Sequence, residues 1–185
     1  MSTNGNSVSA TDALERLKNG NKIYINSAQG VGDISPEKRL HTFKNGQKPY
    51  AVIVSCADSR VIPECIFSAG IGDLFVIRVA GNVVDGIQLG SIEYAVEHLG
   101  CKLVVVLGHT GCGAVGAARG QNGGHVKLIT DEIRLAIGLE EDAERASILN
   151  ASHSVKKIRE QLPLSEGVLV TGALYHTDSG IVDFI

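Results

Sequence analysis

The chain has 185 residues, of which 44% are hydrophobic and 20% are charged, and its formal net charge is −3. This length predicts one domain, able to bury roughly two-thirds of its unfolded surface, and the composition is typical of a soluble globular protein. The net negative charge argues against nucleic acid or an anionic membrane as a partner. An aromatic content of 4% without tryptophan also argues against a base-stacking surface.

The N-terminus and the cysteine content predict a cytoplasmic protein. Residues 1–10 are polar and lack the charged and then apolar pattern of a secretory signal. The apolar runs are shorter than the ~18 residues needed to span a bilayer. Nothing indicates that the four cysteines form disulfides. Residues 1–8 are expected to be a disordered lead, and residues 9–185 a single domain.

The first predicted element is a helix through residues 12–17, where apolar side chains recur at helical spacing. Ser9 or Thr11 is expected to cap its N-terminus. The Asn-Gly pair at 19–20 is expected to interrupt this helix, after which the apolar residues at 23–25 continue the same face.

Residues 28–48 are mostly polar and are expected to wrap the surface around one short helix. Beyond them, apolar β-forming runs alternate with amphipathic segments. Strands are predicted at 50–55, 74–79, 102–107, 167–173 and 181–185, and helices at 63–68, 87–99, 113–119, 126–138 and 140–161. This alternation predicts an α/β fold with a mostly parallel central sheet flanked by helices.

Metal-binding side chains follow two of the predicted strands. Cys56 comes after the apolar run 51–54, and His109 and Cys112 come after the run 103–107. Because parallel strands end at the same edge of a sheet, the two thiols and the imidazole are expected to converge. Two cysteines and a histidine are a ligand set of catalytic zinc, with the fourth position left for water or substrate. The alternative for each cysteine alone is a buried structural residue.

Asp58 and Arg60 alternate with Cys56 along the same loop. Asp58 is either a fourth zinc ligand or a hydrogen-bond acceptor beside the metal. The planar guanidinium of Arg60 is expected to hold that carboxylate through two parallel bonds and to keep it off the zinc. The alternative is a surface ion pair of little consequence.

The chain resembles the β-class carbonic anhydrases over about residues 10–185. The resemblance is carried by segments 56–61, 72–78, 80–82, 91–95, 105–114, 172–175 and 177–180. It implies one zinc ion per chain and a carbonate dehydratase (lyase) activity. In that reaction carbon dioxide is reversibly hydrated to bicarbonate and a proton, by attack of zinc-bound hydroxide on CO2.

The resemblance also implies the role of each site residue. Cys56, His109 and Cys112 hold the zinc, and Asp58 and Arg60 form the catalytic pair, with Asp58 as a fourth ligand in a closed state of some relatives. It further implies a homodimer or higher homo-oligomer, and makes residues 9–185 the zinc-dependent catalytic domain.

One position departs from the pattern of these relatives. They commonly carry Asp-Gln where this chain has Ser68 and Ala69, and the glutamine amide donates to a substrate oxygen. Loss of one positioned donor predicts a slower enzyme, in which Ala69→Gln raises turnover.

Three other functions remain open at the level of the sequence. A zinc-dependent hydrolase on the same scaffold would act on carbon disulfide or carbonyl sulfide. A non-catalytic bicarbonate sensor or structural zinc protein has no need for Asp58 and Arg60. Redox use of Cys56 and Cys112 is less consistent with the spacing, because the two do not form a Cys-x-x-Cys motif.

Overall fold

A computed structural model describes residues 8–27 and 32–185 of the chain. Its strands are β1 (Ala51–Ser55), β2 (Leu74–Arg78), β3 (Leu103–His109), β4 (Leu169–Tyr175) and β5 (Val182–Phe184). They form one sheet in the order β2-β1-β3-β4-β5, in which only β5 is antiparallel to its neighbour. The predicted α/β class with a mostly parallel sheet is confirmed. Except for Val8, the predicted disordered lead lies outside the described residues.

Helices cover both faces of the sheet. They are α1 (Ala10–Asn26), α2 (Pro36–Asn45), α3 (Pro63–Ile66), α4 (Gly86–Leu99), α5 (Gly113–Ala117), α6 (Val126–Ile137) and α7 (Ala143–Gln161). Ser9 caps α1 by accepting a hydrogen bond from the Asp12 N–H. Helix α7 begins three residues later than predicted, because the Asp142 carboxylate caps it through the Arg145 N–H. In the described part of the chain, no helix combines the length and apolarity needed to cross a bilayer.

The two central strands, β1 and β3, are buried on both faces. On one face Ile53 and Val105 pack in a cluster with Leu17 of α1. On the other face Val104 packs in a cluster with Ile158 of α7. Burial on both faces explains why these strands read as continuous apolar runs in the sequence, and it fixes the position of the segments that leave their carboxyl ends.

The predicted interruption of α1 at residues 19–20 is wrong. The helix continues through Gly20 because it passes directly over the end of α3, where a Cβ on Gly20 would lie 1.9 Å from the Phe67 carbonyl oxygen. The next residue anchors the same region, since Asn21 Nδ2 donates to Gly180 O at 2.9 Å. The glycine therefore allows close packing of α1 against the domain rather than ending the helix.

We expect Gly20→Ala to lower the free energy of unfolding by about 1–3 kcal/mol, the usual cost of overpacking. This loss occurs although alanine favours an isolated helix by about 1 kcal/mol. Gly90→Ala on α4 is the matched control, because a Cβ there meets nothing within 4 Å. That variant should be more stable by about 0.5–1 kcal/mol. Urea unfolding measures both, and a Gly20→Ala protein as stable as wild type would contradict the packing of α1.

Ala69 lies in the hydrophobic core. Its match to a glutamine that binds substrate in relatives had instead implied a position in the substrate pocket. It is 3% exposed and packs in the cluster that contains Leu17 and Phe67. A glutamine at this position would have to place its amide among apolar side chains, which is unfavourable without a hydrogen-bond partner. The structure therefore does not support the expected gain in turnover for Ala69→Gln, and we expect a less stable protein instead.

Candidate metal centre

The structure brings three potential metal ligands together at the carboxyl edge of the sheet. Strands β1 and β3 are neighbours, with Ser55 beside Leu107 in the register. Cys56 follows β1 directly and His109 is the last residue of β3, so both side chains leave the same edge. Cys112 lies just before α5. One potential ligand atom of each residue, a sulfur or a ring nitrogen, lies within 4.8 Å of the corresponding atoms of the other two residues.

His109 has the geometry of a metal ligand. It is fully buried, its Nδ1 lies 3.0 Å from the Thr110 carbonyl oxygen, and its Nε2 has no hydrogen-bond partner. The Thr177 N–H donates to Thr110 Oγ1 at 3.0 Å and so fixes that residue. A proton on Nδ1, donated to the carbonyl, leaves the Nε2 lone pair free for a metal. An unpartnered buried nitrogen is otherwise costly.

The sulfur atoms of Cys56 and Cys112 lie within 4.8 Å of each other. A proton shared between them lowers the pKa of Cys56 and, together with burial, raises the pKa of Cys112. The backbone N–H of Gly81 also donates to the Cys56 sulfur, at 3.2 Å, and stabilises its thiolate. A divalent cation placed between the two sulfurs would take over the role of the shared proton and stabilise both thiolates.

The donor set fits zinc. Two thiolates and one imidazole are soft and borderline ligands that select this ion, and three protein ligands leave one position open. All four cysteines are free thiols, so none is engaged in a disulfide. Within residues 8–27 and 32–185, no other group of three or more His, Cys, Asp or Glu side chains has this geometry.

Asp58 and Arg60 form a bidentate ion pair beside these ligands. Arg60 Nε lies 3.0 Å from Asp58 Oδ1, and Arg60 Nη2 lies 2.8 Å from Asp58 Oδ2. The guanidinium holds the pKa of the Asp58 carboxyl well below its usual range. Asp58 Oδ2 is 4.0 Å from His109 Nε2, and Arg60 also donates to Gly111 O at 3.1 Å. The pair is thus tied to the loop that carries His109 and Cys112, unlike an isolated surface ion pair.

The ligand motifs in the sequence do not predict two hydrogen bonds that the structure shows at the site. Arg78 Nη2 donates to Asp58 O at 2.8 Å and so fixes the backbone of the loop after β1. The Gly81 N–H, which contacts Cys56 Sγ, comes from the turn after β2. Both residues lie in segments that carry the family resemblance, 72–78 and 80–82, and this was the one signal that pointed to them.

Comparison with known proteins identifies the family. The family model described as carbonic anhydrase matches residues 51–182. Carbonic anhydrase 2 of Mycobacterium tuberculosis is 36% identical, over 91% of this chain and 89% of that protein. A carbonic anhydrase of Mycolicibacterium smegmatis is 34% identical, over 97% of this chain and 94% of that protein. The chain belongs to the β-carbonic anhydrase family.

Solved structures of β-carbonic anhydrases share the fold. One of two tetrameric enzymes from Sordaria macrospora superposes with a TM-score of 0.67 at 28% identity, covering 80% of this chain and 88% of that chain. The Coccomyxa enzyme in complex with acetazolamide superposes with a TM-score of 0.68 at 27% identity, covering 81% of this chain and 78% of that chain. A carbon disulfide hydrolase superposes with a TM-score of 0.59 at 17% identity, covering 80% of this chain and 86% of that chain. At this identity the similarity shows the fold alone. The predicted family is confirmed, and as its member this chain is an enzyme, a β-class carbonic anhydrase.

Proposed function

We propose that this β-carbonic anhydrase is a zinc enzyme that reversibly hydrates carbon dioxide to bicarbonate and a proton. Cys56, His109 and Cys112 would hold one zinc ion per chain, and residues 9–185 would form the catalytic domain. The observation that carries the proposal is the buried, unpartnered Nε2 of His109 beside two thiols. A bound zinc ion lowers the pKa of water to about 7 and so supplies a hydroxide nucleophile near neutral pH.

Asp58 is proposed to orient the nucleophile. Its carboxylate stays ionised because Arg60 binds both oxygens, and it lies 4.0 Å from His109 Nε2. From this position it accepts a hydrogen bond from the attacking hydroxide and directs an oxygen lone pair toward the carbon of CO2. Arg60 acts by holding the carboxylate in place and off the metal position.

Arg60 is also proposed to balance the charge of the ligand set. Two thiolates carry more negative charge than imidazoles would, which disfavours ionisation of a nearby water molecule. The negative charges of Cys112 and Cys56 contribute to raising the pKa of Arg60, after the larger effect of Asp58. The fixed positive charge of Arg60, whose guanidinium contacts Gly111 O between His109 and Cys112, would offset part of the effect of the two thiolates on the nucleophile.

Stopped-flow hydration of CO2 at pH 7 and pH 8.5, on protein of known zinc content, tests this function. Because Asp58 is paired with Arg60, we expect catalysis at both pH values, proportional to zinc content and lost after chelation. Activity at pH 8.5 alone would indicate that Asp58 closes onto the metal at lower pH. Absence of hydration with one zinc per chain would contradict the proposal, and carbon disulfide and carbonyl sulfide would then be assayed as substrates.

The active form is proposed to be a homodimer or higher homo-oligomer. One solved relative is described as tetrameric. This chain also exposes large apolar side chains on several elements, including Phe43 at 86%, Ile87 at 84% and Leu139 at 98%, as interaction surfaces do. Sedimentation equilibrium should give a mass of at least two chains, and a monomer mass would contradict this proposal.

Cytoplasmic location stays a prediction from the sequence.

A further inference from the structure

A 3-10 turn at Ala80–Asn82 contacts the first metal ligand through its backbone. The Gly81 N–H donates to Cys56 Sγ at 3.2 Å. Val79, just before the turn, pairs with the chain on both sides of Cys56. Its N–H donates to Ser55 O, and its carbonyl oxygen accepts from the Ala57 N–H. The direction of the Gly81 N–H therefore depends on how the turn itself is held.

The turn has an unusual backbone conformation. Gly81 has φ +68° and Asn82 has φ +45°, both in the left-handed region. Asn82 is 1% exposed, and a non-glycine residue in this region is strained. A Cβ at Gly81 would lie 2.6 Å from Ile133 Cδ1, so the end of that side chain would have to move. Such a conformation persists only where surrounding contacts stabilise it.

Helix α7 supplies those contacts. Asn150 Nδ2 donates to Gly81 O at 2.7 Å, and Ser154 Oγ donates to Asn82 O at 3.2 Å. The two residues are four positions apart, so they lie on the same face of the helix. They are 1% and 2% exposed. Burial of an amide is costly unless it is hydrogen-bonded. Gly81 O is the partner of the Asn150 amide nitrogen, whereas the Asn150 Oδ1 has no partner in the described structure.

We infer that Asn150 and Ser154 are positioning residues of the metal centre, which hold the turn so that the Gly81 N–H stays on Cys56 Sγ. An N–H that donates to a thiolate withdraws negative charge from the sulfur. It therefore adjusts how strongly Cys56 donates to the metal. Partners outside the ligand shell typically change metal affinity 10–100-fold when removed. The inference rests on the proposed zinc site.

The test uses the full chain loaded with cobalt(II), whose sulfur-to-metal charge-transfer absorption reports on the thiolates. We expect Asn150→Ala to release cobalt to a chelator about 10–100-fold faster than wild type, because the loosened turn no longer holds Cys56 in position. Its absorption should shift to longer wavelength, because the sulfur loses a hydrogen bond. Ser154→Ala should change both readouts in the same direction by less.

Ser147→Ala is the matched control. Ser147 is on the same helix and 2% exposed, but its hydroxyl donates only to Ala143 O within the helix, at 3.0 Å. This variant should retain the wild-type release rate and absorption. Faster release from it as well would indicate general loosening of α7 and would overturn the inference.

The remaining outcomes separate this inference from the proposed zinc site. Wild-type release or an unshifted absorption in Asn150→Ala would overturn the positioning role while leaving the metal centre intact. If Asn150→Ala does not fold, the same criteria apply to Ser154→Ala. Absence of charge-transfer absorption in the wild-type protein itself would instead refute the zinc site on which the inference rests.

Discussion

Replacement of His109 by alanine should abolish stoichiometric zinc binding and, with it, hydration of CO2. The imidazole is fully buried, and its Nε2 has no hydrogen-bond partner and lies 4.0 Å from the Asp58 carboxylate. Its loss leaves two protein ligands where a catalytic zinc site uses three. Cys56→Ser and Cys112→Ser should lose zinc for the same reason, because a neutral hydroxyl does not replace a thiolate. Zinc per chain, measured after dialysis against a chelator, tests each variant.

Cys101→Ser is the control for the two cysteine variants. Cys101 is as buried as the proposed ligands, at 1% exposure, but its thiol donates to Pro49 O and packs in the cluster of α4 and α7. This variant should keep one zinc per chain, whatever its effect on stability. Full zinc retention in the His109, Cys56 or Cys112 variant would remove that residue from the ligand set.

Asp58→Ala should separate metal binding from catalysis. We expect zinc content near that of wild type and a rate of hydration lower by about 10²-fold or more, the size of effect that a positioned proton acceptor contributes. The loss of stability should be modest, because the Asp58 side chain is 19% exposed but its partner Arg60 is 55% exposed, so that water screens the ion pair. Stopped-flow kinetics and zinc analysis on the same preparation measure both quantities.

Asp131→Ala provides the comparison for Asp58→Ala. Asp131 also pairs with an arginine, Arg134, but on the surface of α6 and outside the group of potential ligands. Its removal should leave turnover unchanged. If Asp58→Ala had wild-type turnover, Asp58 would have no part in the mechanism. If it lost zinc, Asp58 would be a ligand rather than an orienting group.

Sequence patterns of short range predicted the parts of the molecule that depend on neighbouring residues. The runs at 51–54 and 103–107 are apolar throughout because β1 and β3 are covered on both faces. That pattern, with a cysteine or histidine at each strand end, was enough to predict the fold class and three candidate ligands. Their convergence needs only that parallel strands end at one edge of the sheet.

Two interpretations made from the sequence alone leave out a partner that is distant in the chain. The glycine at position 20 predicts an interruption of the helix. Its actual role is to let α1 approach the Phe67 carbonyl, 47 residues further along the chain. An alanine at position 69 reads as a missing donor in the pocket, yet it packs in the core with Leu17. In both cases the partner that decides the role is distant in sequence, so no local pattern could indicate it.

The sequence by itself therefore determined the family, the α/β sheet and the three candidate metal ligands, since each depends on the type and spacing of residues close in the chain. Only the tertiary structure decided that Arg60, which binds both oxygens of Asp58 as the sequence predicts, also contacts Gly111. It also decided that the Asn150 amide meets the Gly81 carbonyl across 69 residues of chain. Such contacts are set by how separate elements pack together, because a hydrogen bond exists only where packing brings donor and acceptor within about 3 Å.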